Sequence, residues 1–143
     1  MTGVLDVLLV EDNPGDVRLT QEVLREARVP TDVTVAGDGE EAMAYLRGEG
    51  EHAKRKRPSL VLLDLNLPRK SGLEVLAEVK GDKALRRVPV VVLSGSSATH
   101  DVVRAYDLHA NAYVTKPLDL NEFIAALRAV EGFWLDLATL PPA

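Results

Sequence analysis

The sequence predicts an α/β fold, a doubly wound parallel sheet of five strands with five helices. Two observations carry this. Short runs that are apolar at nearly every position recur along the chain, and amphipathic segments separate them. A strand apolar on both sides is buried on both faces, as in a parallel sheet covered by helices. A third observation points to where function sits: Glu11-Asp12, Asp64, Ser94 and, after a short step, Lys116 follow the ends of four of these runs.

The first strand covers residues 7–10 and stops at Glu11. Pro14 suits the first turn of a helix, which reaches about residue 27 with Leu19, Val23 and Ala27 on one face. Residues 32–36 form the second strand. Asp38-Gly39-Glu40-Glu41 reads as a turn with a capping-box-like acidic pair and opens a helix to about Arg47. Residues 48–58 are a polar, charged loop. Residues 60–63 form a fully apolar third strand, closed by Asp64. Ser71-Gly72-Leu73-Glu74 is a capping box, and its helix ends near Lys80-Gly81. The fourth strand spans 88–93, the next helix 99–108, and a short fifth strand 112–114. Asp119-Leu120-Asn121-Glu122 is another capping box. It starts a last helix whose apolar stripe is Phe123, Leu127, Val130 and Trp134. The tail, Leu140-Pro141-Pro142-Ala143, reads as loose. Right-handed crossovers and a flavodoxin-like strand order of 2-1-3-4-5 complete the expected architecture.

At 143 residues the chain has the size of one domain, taken as 1–143 with a core at about 4–131 and an extension at 132–143. It has no cysteine, which excludes disulfides, thiolate metal sites and a cysteine nucleophile. Seventeen basic against 22 acidic residues leave a net charge of -5. That argues against nucleic acid as a main partner, because phosphate backbones call for concentrated positive charge. The basic run Lys54-Arg55-Lys56-Arg57 lacks interleaved aromatics and reads as a solvated loop. The start Met1-Thr2-Gly3-Val4 lacks the basic opening and apolar run of a signal peptide. No stretch approaches the ~20 apolar residues that span a membrane. A cytoplasmic protein is expected.

In a parallel sheet all strands end on one edge, and ligand sites in open α/β sheets lie there. Glu11, Asp12, Asp64, Ser94 and Lys116 therefore converge on one rim, with the crevice between the first and third strands. An acidic pair after a strand can merely complement a helix dipole; the other rim residues argue for more. Three gathered carboxylates repel one another unless protonated or bridged by a cation. Oxygen-only ligation suits Mg²⁺, and without histidine or cysteine at the rim zinc is a poor fit. Asp64, beside the metal, is placed to act as a carboxylate nucleophile toward phosphorus. Lys116 would contribute positive charge and the Ser94 hydroxyl a hydrogen bond to a phosphoryl oxygen.

Val10-Glu11-Asp12-Asn13, Leu62-Leu63-Asp64-Leu65-Asn66-Leu67-Pro68, Gly72, Val91-Val92-Leu93-Ser94 and Lys116-Pro117 together resemble the receiver domain of two-component response regulators over roughly the whole chain. The resemblance implies Asp64 as phosphoacceptor. It implies Mg²⁺ ligation by Asp12, Asp64 and the backbone carbonyl of Asn66, with Glu11 acting mainly through water. It implies Lys116 as the partner of Asp64 and then of the phosphate. It also implies Ser94 and Tyr113 as a switch pair, and a cis peptide at Lys116-Pro117. A sensor histidine kinase would be the phosphodonor, and no output domain is expected. Leu65-Asn66-Leu67-Pro68, the segment 48–58 and Gly132-Phe133-Trp134-Leu135 further resemble stand-alone regulators serving phytochrome-type kinases. Phe133 and Trp134 are candidates for a homodimer contact. Ser94 stands where many receivers have threonine, and Leu67 where many have methionine.

The enzymatic rival is a phosphoaspartate-forming phosphatase of the haloacid-dehalogenase type. It wants an acid two residues after the nucleophile, where this chain has Asn66. A flavodoxin-like cofactor carrier needs a phosphate-cradling loop after the first strand, and Glu11-Asp12-Asn13-Pro14 is acidic there. A phosphorylation-independent scaffold would have no use for the full rim set.

Overall fold

The computed structural model describes residues 3–142; Met1 of the expected non-signal start, Thr2 and the tail's Ala143 lie outside the described residues. The strands are β1 (Leu5–Val10), β2 (Thr31–Ala36), β3 (Leu60–Leu63), β4 (Val90–Ser94) and β5 (Ala112–Thr115). The helices are α1 (Pro14–Arg25), α2 (Gly39–Arg47), α3 (Gly72–Gly81), α4 (Thr99–Asp107) and α5 (Leu120–Glu131). All strand pairs are parallel, in the order β2-β1-β3-β4-β5. This is the expected flavodoxin-like arrangement.

Alternate strand residues feed opposite cores. Leu8, Val10, Val61, Leu63, Val90 and Val92 pack with Met43 and Leu46 of α2, Leu76 and Val79 of α3, and Ala105 of α4. Val7, Leu9, Leu60, Leu62, Val91 and Leu93 pack with Val23 and Leu24 of α1 and with Phe123, Leu127 and Val130 of α5. β3, residues 7–10 of β1 and residues 90–93 of β4 are apolar throughout because each successive side chain there enters one core or the other.

Helix starts follow local chemistry. Asn13 caps α1, its side chain accepting from the Asp16 N–H at 3.0 Å. The Ser71–Glu74 capping box of α3 closes in both directions. At α2, Asp38 accepts from the Glu41 N–H, but Glu41 reaches back to Gly37 N–H instead of completing a box. At α5 only the Asp119 half of the expected box forms. β4 begins at Val90, two residues later than expected; Pro89 has no N–H to give the ladder.

Three local readings change. The last helix widens into a π turn at Gly132–Leu137, closed by Ala138 N–H donating to Phe133 C=O five residues back. The wider turn advances the core position from Trp134 to Leu135, which is 3% exposed, while Trp134 packs only partly against the same core. The basic run is not wholly solvated. The Arg55 guanidinium donates to the carbonyls of Tyr45 and Leu46 and so closes the C-terminus of α2. The tail is not free of the body either: Pro141 and Pro142 share a cavity of about 290 Å³ with Arg57, Pro58 and the segment from Lys83 to Pro89. Among the described residues no helix is long and apolar enough to cross a membrane.

Candidate functional site

The strand register builds the site. Val10 pairs with Leu63, so Glu11 and Asp64 leave the sheet side by side. Their backbones stay tied to it, Asp64 N–H to Val10 C=O and Glu11 N–H to Ala36 C=O, each at 3.0 Å. Ser94 pairs with Thr115, and Lys116 N–H donates to Ser94 C=O at 2.7 Å. Gly72 lets the start of α3 press onto the end of β3. A Cβ there would lie 2.3 Å from the Asp64 carbonyl oxygen.

One carboxylate oxygen from each of Glu11, Asp12 and Asp64 lies within 4.8 Å of the others. Glu11 and Asp64 are buried and Asp12 is exposed, so the cluster opens to solvent on one side. The Lys116 ammonium reaches into it, donating to Glu11 Oε1 at 2.5 Å, Asp16 Oδ2 at 3.0 Å and Asp64 Oδ2 at 3.4 Å. Backbone donors hold the other oxygens: Asn13 N–H on Glu11 Oε2 and Asn66 N–H on Asp64 Oδ1, both at 3.2 Å.

Burial pushes the Glu11 carboxyl up to about 7; its bond to Lys116 opposes this and the Asp64 charge adds to it. Burial alone would lower the Lys116 ammonium. Its bonds to Glu11 and Asp16, with the charges of Asp64 and Glu11, outweigh burial and hold it above the ordinary lysine value. One ammonium faces four carboxylates, an excess of negative charge suited to a hard divalent cation with oxygen ligands.

The family model of the response regulator receiver domain matches residues 7–128.

The chain belongs to that family.

Among relatives of this receiver, response regulator Rcp1 of Synechocystis sp. is 47% identical over 137 residues, 96% of this chain and 93% of that one. The crystal structure of the phosphorylated cyanobacterial phytochrome response regulator RcpA matches with a TM-score of 0.94 at 53% identity, over 96% of this chain and 99% of that one. The Mn²⁺-bound form of Rcp1 matches with a TM-score of 0.95 at 46% identity and the same coverage.

The receiver brings together Glu11, Asp12, Asp64 and Lys116, and places Asn66 against Asp64 through its N–H. Ser94 is fully buried at the end of β4, its hydroxyl accepting from Ser96 N–H. The Tyr113 hydroxyl donates to Ser96 C=O at 2.7 Å, so both members of the expected switch pair bond to the same residue. Phe133 is half exposed and meets Trp134 edge to face at 5.2 Å.

One expectation is corrected: among the described residues every peptide bond is trans, Lys116-Pro117 included. Trans is the intrinsic preference of an X–Pro bond, by about 0.5–1 kcal/mol, and Lys116 reaches all three carboxylates from it. The sequence reading also missed Asp16. An acid in the first turn of a helix looks like ordinary complement to the helix dipole, and nothing local marks it as a partner of a lysine 100 residues away.

Proposed function

We propose that this receiver takes a phosphoryl group onto Asp64 from the phosphohistidine of a sensor kinase, and signals by a shift between conformations. The carrying observation is the Asp64 carboxylate, backbone-anchored at the end of β3, with the Lys116 ammonium at 3.4 Å and the Glu11 and Asp12 oxygens within 4.8 Å. In the transfer, an Asp64 carboxylate oxygen forms a bond to phosphorus. The phosphorus–nitrogen bond breaks, and its electron pair leaves with the imidazole.

Mg²⁺ fits the donor set of Glu11, Asp12 and Asp64; Asp12, Asp64 and the Asn66 carbonyl would hold it, with Glu11 beside it. When bound it neutralises charge on the phosphoryl oxygens. The Mn²⁺-bound form of Rcp1 and the phosphorylated form of RcpA support this reading by similarity. The chain's own groups do the rest. Lys116 pairs with the transferred group and orients it. The Ser94 hydroxyl exchanges its Ser96 contact for a phosphoryl oxygen, and Tyr113 responds behind it. The added charge biases an equilibrium that already exists. Self-catalysed transfer and hydrolysis of the acyl phosphate are the extent of its catalysis.

The same similarity favours a phytochrome-type kinase as donor. The exposed side chains of Phe133 and Leu137 support a self-association face beside the π turn, with the half-buried Trp134 backing it.

Incubation with Mg²⁺ and acetyl phosphate, followed by intact-mass measurement, tests the central reading. The native chain gains a single labile phosphoryl adduct and Asp64→Asn gains none. An adduct retained by Asp64→Asn overturns the assignment.

A further inference from the structure

The Lys116 ammonium carries three N–H donors, and three of the four carboxylates of the site each take one: Glu11, Asp16 and Asp64. Its donors are all spoken for. A phosphoryl oxygen arriving at Asp64 can be bonded by Lys116 only if one of these acceptors is given up.

The three acceptors are unequal. Glu11 is buried, with its second oxygen already accepting from Asn13 N–H. Asp64 is the group being modified. The Asp16 side chain is 29% exposed. It lines an open cavity of about 590 Å³ together with Lys116, Pro117 and Gly95. Its carboxylate is the one that water can take over at least cost. It also holds the ammonium more closely than Asp64 does, at 3.0 Å against 3.4 Å.

We propose that Asp16 is a positioning residue for phosphoryl transfer, a seat that holds the Lys116 ammonium in the unmodified protein and releases it when Asp64 is phosphorylated. This rests on Asp64 being the phosphoacceptor. Two effects then act in one direction. Asp16 competes with the phosphoryl group for Lys116, and its charge repels an anionic phosphodonor at the mouth of the site. Asp16 thereby slows phosphorylation and ties the first turn of α1 to the state of Asp64. A role limited to complementing the helix dipole accounts for an acid in that turn but predicts no effect on Lys116.

Asp16→Asn keeps the size and leaves the backbone bonds of the turn in place, Asp16 N–H to Asn13 and Thr20 Oγ to Asp16 C=O. Asp16→Glu keeps the charge. Phosphorylation of the full chain by acetyl phosphate with Mg²⁺ is followed by intact mass. The Lys116 ammonium protons are followed by NMR in lysine-labelled protein without phosphodonor. Failure of the native chain to form an adduct on Asp64 strikes the functional reading itself. With that adduct present, Asp16→Asn is expected to phosphorylate about fivefold faster, the factor matching one partly exposed ion pair. Its Lys116 protons are expected to exchange faster with water, and Asp16→Glu to return both toward native. Unchanged ammonium exchange in Asp16→Asn, or a rate equal to or below native, overturns the proposal.

Discussion

Alanine at Gly72 and alanine at Gly81, on the same helix, should have opposite effects. At Gly72 a Cβ would meet three backbone atoms, Asp64 O at 2.3 Å, Leu65 Cα at 2.5 Å and Asp64 C at 3.0 Å. Ordinary contact begins near 3.4 Å, so the start of α3 or the end of β3 must move by roughly 1 Å. Neither is a flexible side chain that can turn aside. Overpacking a rigid site costs about 1–3 kcal/mol. The Gly72 N–H bond to Leu65 C=O at 3.0 Å is stretched with it, worth about 1 kcal/mol more. Better helix propensity returns about 1 kcal/mol. The net loss is about 1–3 kcal/mol, a sizeable part of the stability of a domain. The strain falls on the Asp64 backbone, so Mg²⁺ affinity falls as well. At Gly81 nothing lies within 4 Å, and alanine there gains about 0.5–1 kcal/mol through propensity alone. Urea unfolding of the two variants and the native chain, with linear extrapolation, measures both. A loss under about 1 kcal/mol for Gly72→Ala, or a larger loss for Gly81→Ala than for Gly72→Ala, refutes the reasoning.

Glu11, with its carboxyl raised to about 7 by burial, links cation binding and stability to pH. Mg²⁺ should bind more tightly as pH rises through about 6–8 and displace roughly half a proton at pH 7, read by calorimetry in buffers of different ionisation enthalpy. In the Mg²⁺-free protein a raised folded-state value means stability is lost as pH climbs from 4.5 toward 7. Glu11→Gln should remove that loss, and a native profile unchanged by this variant would sink the assignment. The π turn predicts that Leu135→Ala costs about 2–5 kcal/mol, whereas half-exposed Phe133→Ala costs under about 1 kcal/mol by the same urea assay. The reverse order would refute the placement of Leu135 in the core by the π turn.

Much of this protein is legible along the chain. Strands that are apolar at nearly every position, acids and a hydroxyl at their ends, and a serine-glutamate box before α3 are local signals, and each reports a local physical requirement. They suffice for a parallel α/β sheet and for gathering Glu11, Asp12, Asp64, Ser94 and Lys116 on one edge; the strand order comes from the flavodoxin-like class and from no single local signal. What the sequence could not determine depends on distances between remote segments. The Asp16–Lys116 contact joins the first turn of α1 to the residue after β5. The closing of α2 by Arg55 depends on how the following loop folds back. The choice of Leu135 over Trp134 is made by one wider turn, which shifts the buried face by a residue without changing the apolar pattern. Period and capping are properties of neighbours in sequence. The pairing of a charge, and the face a helix buries, are settled by what lies opposite, and only the packed chain brings those groups into place.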